Sequence, residues 1–90
     1  MQVIQSDRFI FELQEITDFI ALDSAFYADK FQRALLTELE TLSFMPRRFR
    51  KSIHAVRDFI FKGYTVPFLV DDEGDQVVLL GILKQNLWRL

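Results

Sequence analysis

Ninety residues, half of them hydrophobic, 14% aromatic and 27% charged, read as one folded domain over 1–90 and argue against a disordered chain. With no cysteine and one histidine, the chain has no disulfide, no thiolate metal site and no multi-histidine centre, and no metal or other cofactor is expected. A net charge of −2 argues against general nucleic-acid binding; with no apolar run near the ~20 residues of a bilayer span and no signal peptide, a cytoplasmic protein without a membrane partner is predicted.

The first 45 residues hold neither glycine nor proline, whereas Gly63, Gly74, Gly81, Pro46 and Pro67 all lie beyond them. These residues punctuate local structure, so helices come first and strands with turns follow. Met1 to Gln5, with Val3 and Ile4, reads as a short opening strand. Ser6 or Asp7 then caps a helix whose apolar stripe runs Phe9, Leu13, Ile16 and Ile20, with Phe19 alongside. Glu12, Glu15 and Asp18 fall off that stripe and read as a solvated face. After Leu22, Asp23 or Ser24 caps a second helix with the stripe Tyr27, Phe31, Leu35, Leu39 and Leu42; Ala28 and Ala34 allow close approach of a neighbouring helix. So short a link makes the pair an antiparallel helical hairpin over about 7–44.

Pro46 ends the helical half, and Arg47 to Ser52 reads as a polar loop. A meander over about 54–84 follows. Ala55 to Phe61 is its first strand, Lys62-Gly63 a tight link, and Tyr64 to Val70 a second strand rich in β-formers. Pro67 sits awkwardly there, since proline donates no ladder hydrogen bond. Asp71 to Asp75 is a hairpin turn with Gly74 free to take a positive φ, and Val77 to Leu83 a nearly continuous apolar strand that calls for cover on both faces. The order β-α-α-β-β-β gives an α+β fold, a helical hairpin packed on an antiparallel β-sheet.

Charge divides with structure. Residues 1–45 carry three basic side chains against eight acidic ones, and residues 46–90 carry eight against five. The excess of cations in the second half suits an anionic partner or a solvated loop equally well. For enzymatic chemistry the candidates are few. Glu12 and Glu15 share a helix face but nothing in the sequence buries them, and Asp71, Asp72, Glu73 and Asp75 lack the spacing of a calcium loop. His54 is the one side chain suited to moving a proton near neutral pH, although a lone histidine at a loop–strand junction is more often structural. Trp88, followed by Arg89, either packs back on the sheet or anchors a partner.

Taken together, Leu42-x-x-x-Pro46, the basic loop, Arg57, Gly63-Tyr64-Thr65-Val66-Pro67-Phe68, an apolar strand and a short cationic tail resemble the RelE/ParE superfamily of bacterial toxins. Asp18-Phe19-Ile20-Ala21 is similar to a stretch of that superfamily's first helix, and Ala28, Phe31 and the leucines down to Pro46 to its second. The resemblance implies the toxin of a type II toxin–antitoxin pair, held in a hetero-oligomer by a cognate antitoxin protein. RelE-like members cleave messenger RNA on the ribosome, and ParE-like members inhibit DNA gyrase. Against the ribonuclease pattern stand Val56, Asp58 and Phe59 beside Arg57, Thr65 after the family tyrosine, and Gln85 after Lys84. In-line RNA cleavage concentrates charge on one phosphorus, and each lost donor costs on the order of 10²–10³ in rate. The ParE-like reading is therefore preferred, with no catalytic residues and with Arg47, Arg48, Arg50, Lys51, Arg57, Lys84, Trp88 and Arg89 as the target-binding face. In the ribonuclease alternative Arg57, His54 and Lys84 would be catalytic, with ribosome and messenger RNA as partners. A third reading is a complex-forming subunit that is no longer toxic.

Overall fold

The structure, a computed structural model, describes residues 1–44, 46 and 55–84. Its elements are β1 (Gln2–Gln5), α1 (Asp7–Ala21), α2 (Ala25–Leu39), a 3-10 turn over Glu40–Ser43, β2 (Arg57–Phe61), β3 (Tyr64–Asp71), β4 (Gln76–Leu79) and β5 (Leu83–Lys84). Two serines start the helices. The Ser6 hydroxyl accepts the Phe9 N–H at 3.1 Å and the Ser24 hydroxyl accepts the Tyr27 N–H at 3.1 Å, each satisfying a donor the helix itself leaves unpaired. Between the helices only Leu22, Asp23 and Ser24 intervene.

The helical hairpin covers one face of the sheet. Phe9, Leu13, Leu35, Leu39 and Leu42 meet Phe59, Val66, Phe68, Val77, Leu79 and Ile82 in a single buried cluster. Burying a side chain of this size contributes about 1.5–3 kcal/mol. The predicted stripes are buried only in their sheet-proximal parts. Ile16, Ile20 and Phe31 are half-buried, while Phe19 is 70% and Tyr27 63% exposed, because the helical hairpin's tip is not packed into that cluster.

Sheet order is β1-β4-β3-β2, with β5 also on β3. The β2-β3-β4 meander is antiparallel as anticipated, and β1 adds at the edge parallel to β4, with Val3 beside Val77, so the sheet is mixed. β2 begins at Arg57 and not at Ala55, whose φ of 69° lies outside the strand region. In the Asp71–Asp75 turn the positive φ falls on Asp75 (51°) and not on Gly74. Gly74 serves another purpose: its N–H donates to the Asp71 carboxylate at 3.1 Å, and a Cβ there would lie 2.5 Å from the other carboxylate oxygen.

The long last strand is interrupted. Phe68 pairs with Leu79 and Thr65 with Leu83, so three residues, Leu80 to Ile82, stand opposite two on β3, Val66 and Pro67. That is a β-bulge, and it accounts for Pro67. The Pro67 carbonyl accepts the Leu80 N–H at 2.8 Å, so the side from which its N–H is missing faces the bulge, where the regular ladder is already broken.

Candidate functional site

The bulge creates the most closely built contact between helix and sheet among the described residues. Displaced from the ladder, the Ile82 N–H donates to the Glu12 carboxylate at 2.9 Å across seventy residues of sequence. Arg8, one turn earlier on α1, donates to the other carboxylate oxygen at 2.9 Å. Gly81 makes room, since a Cβ on it would lie 2.5 Å from the Glu12 carboxylate. Partial burial pushes the Glu12 pKa up, but the Ile82 N–H and the hydrogen bond and charge of Arg8 outweigh it and hold the group below its ordinary value. Glu12 is thus a 22%-exposed structural carboxylate and not part of a solvated face. Nothing local in the sequence signals a partner so far along the chain.

Beside this contact lies a groove of about 410 Å³ between α1 and the sheet. Ile16 and Phe19 form one wall, Tyr64, Ile82 and Lys84 the other, and Glu12 and Glu15 contribute its acidic side. Lys84 reaches it because β5 sets Lys84 opposite Tyr64, on the helix-facing side of the sheet. The Tyr64 ring packs edge-on against Phe31 of α2 with centroids 5.3 Å apart, and Phe31 meets Phe61 at 5.7 Å. Aromatic packing from behind thereby fixes the Tyr64 wall of the groove. A mixed apolar and charged groove of this kind suits protein recognition. The Glu12 carboxylate is held down, away from the range useful for general acid or base work at neutral pH.

Of the residues singled out from sequence, Arg47, Arg48, Arg50, Lys51, His54, Trp88 and Arg89 lie outside the described residues. Arg57 and Lys84 share the helix-facing side of the sheet, Arg57 opposite Phe68 and Lys84 opposite Tyr64. Four residues of β3 and two strand spacings separate them, roughly 16 Å between their Cα atoms. The fold does not gather these two on one phosphate-sized site. Sequence reasoning passed over the tip of the helical hairpin, where Phe19, Leu22 and Phe26 are between 70% and 81% exposed. The signal available was the placement of large apolar side chains on both sides of the Asp23–Ser24 link.

Comparison with known proteins agrees with this architecture. The family model described as "ParE toxin of type II toxin-antitoxin system, parDE" matches residues 3–86. No curated protein matches the chain. A solved structure described as the chromosomal ParDE TA system from P. aeruginosa superposes with a TM-score of 0.83 at 20% identity, over 96% of this chain and 97% of that one, which shows the shared fold. With a family model spanning nearly its whole length and the fold to match, the chain belongs to the ParE toxin family of type II toxin–antitoxin systems.

Proposed function

We propose that this protein, when free, inhibits DNA gyrase by binding it, and that a cognate antitoxin protein neutralises it in a hetero-oligomer. The observation that carries the reading is the ParE family match over residues 3–86. The wide separation of Arg57 and Lys84 supports a binding role over in-line RNA cleavage, which needs cations converging on one phosphate. Exposed Phe19, Leu22, Phe26 and Tyr27 around the tip of the helical hairpin support a protein partner, because large apolar side chains gathered on the surface of a small domain mark an interaction site. The similar P. aeruginosa structure, a ParDE system, supports an antitoxin as that partner. Arg47, Arg48, Arg50, Lys51, Arg57, Lys84, Trp88 and Arg89 are the proposed target face.

The test is to induce the chain alone in a bacterial host and follow labelled precursors into DNA and protein over the first minutes. DNA synthesis should fall first, and purified protein should block ATP-dependent supercoiling by gyrase. A prior fall in protein synthesis would overturn the gyrase reading in favour of a ribosome-dependent ribonuclease, and no fall in either would indicate a non-toxic subunit. Replacing Arg50 and Arg57 by alanine, with the circular dichroism spectrum unchanged, should relieve growth arrest. Undiminished arrest would remove those residues from the target face.

A further inference from the structure

A second groove, of about 310 Å³, opens where α2 meets the β2–β3 turn. Ile20, Tyr27, Phe31 and Ala34 give it apolar walls, and Lys30 and Lys62 give it two positive charges with no carboxylate among its lining. Neither lysine has an ion-pair partner among the described residues, whereas nearby Arg33 is paired with Asp29 at 2.9 Å. The Lys62 ammonium lies 5.5 Å from the Phe61 ring centroid, which holds it against the aromatic surface.

The backbone under Lys62 is unusual. Phe61 pairs with Tyr64, leaving Lys62 and Gly63 as a two-residue turn with φ of 48° and 85°. Left-handed φ at both positions defines a type I′ turn, whose first position favours asparagine, aspartate or glycine. A lysine there is strained, and residues held against backbone preference cluster at binding sites. What this residue contributes in exchange is a cation at the groove.

We infer that this groove binds an acidic segment of a partner protein, seating an apolar side chain between Tyr27 and Phe31 and pairing adjacent carboxylates with Lys30 and Lys62. The volume is at the small end of ligand sites, suited to one or two side chains. Two cations on a chain of net charge −2 supply too few phosphate contacts to favour nucleic acid. The inference deepens the antitoxin reading and rests on it only for the biological identity of the partner.

The full chain, labelled with nitrogen-15, is titrated by NMR with the blocked peptide acetyl-Glu-Leu-Asp-Leu-Glu-amide. Saturable shifts are expected at Lys30, Phe31, Lys62 and Gly63. Affinity should fall with added salt and by about tenfold in the double variant K30Q/K62Q. The same peptide with lysine in place of each acid should leave these signals unmoved. Absence of localised shifts, or binding undiminished in K30Q/K62Q, overturns the inference. So does saturation of these signals by an eight-nucleotide oligothymidylate while the acidic peptide has no effect, since the groove would then be a nucleic-acid surface. Rescue of growth by a co-expressed antitoxin is read separately; if rescue occurs and the peptide fails, the antitoxin reading stands without this groove.

Discussion

Replacing Glu12 by alanine should destabilise the protein far more than the same change at Glu15, one helical turn away. The Glu12 carboxylate is the acceptor for the Ile82 N–H at 2.9 Å, and Ile82 is a buried core residue with 3% exposure. Truncation strands that donor at a place where the ladder has already broken, which costs about 1–3 kcal/mol. Loss of the exposed Arg8 pair adds only about 0.3–0.5 kcal/mol. Together these losses come to about 1.3–3.5 kcal/mol, a Tm lower by roughly 5–28 °C for a domain of this size. Glu12→Gln keeps a neutral acceptor and should cost about half as much. The pH dependence follows from the depressed pKa: the carboxylate's contribution is complete above its ordinary pKa of 4.5 and is lost as pH falls through the lower folded value. Differential scanning fluorimetry of wild type, E12A, E12Q and E15A between pH 3 and 7, on protein made by cell-free synthesis, checks this. Wild type should move toward E12Q as the pH falls below 4.5. If E12A and E15A melt within about 2 °C of each other at pH 7, the helix-to-bulge contact contributes nothing and the reasoning fails.

Gly81→Ala displaces the same carboxylate by placing a Cβ 2.5 Å from it, so its effect should approach that of E12A and largely vanish in the E12A background. Additive losses in a double-mutant cycle by urea denaturation would show that the two residues act separately. At the β2–β3 turn, Lys62→Asn should stabilise by about 0.5–1 kcal/mol by relieving the left-handed φ of 48°, while weakening acidic-peptide binding. Gly63→Ala should destabilise by about 1 kcal/mol despite open space around its Cβ, since φ there is 85°. Chemical denaturation midpoints of the two variants, moving in opposite directions, check the turn assignment.

Much of the architecture was readable residue by residue because its causes are local. Ser6 and Ser24 cap helices through contacts three residues away, and the 3.6-residue recurrence of Phe9, Leu13, Leu35 and Leu39 names the buried stripe. Glycine and proline mark where the Lys62-Gly63 link and the Asp71–Asp75 turn fall and so the order of elements, although the positive φ settles on Lys62 and Gly63 in the first turn and on Asp75, not Gly74, in the second. Most of the proposed target face lies outside the described residues. Its two described members, Arg57 and Lys84, prove to be spread along opposite sides of β3, a spacing no linear pattern expresses.

Local preference and periodicity therefore account for the helices, the main strands and their order, since each depends on neighbours within a turn or two. Pairing and cover are set by residues far apart in the chain. Val3 beside Val77, the extra residue at Leu80 to Ile82 opposite Val66 and Pro67, and the Ile82 N–H on Glu12 exist only once the sheet has assembled against α1. Periodicity shows which side of a helix is apolar but not how much of that side the core will take in. That is why Leu35 and Leu39 are buried while Tyr27, on the same stripe, lies open at the tip of the helical hairpin.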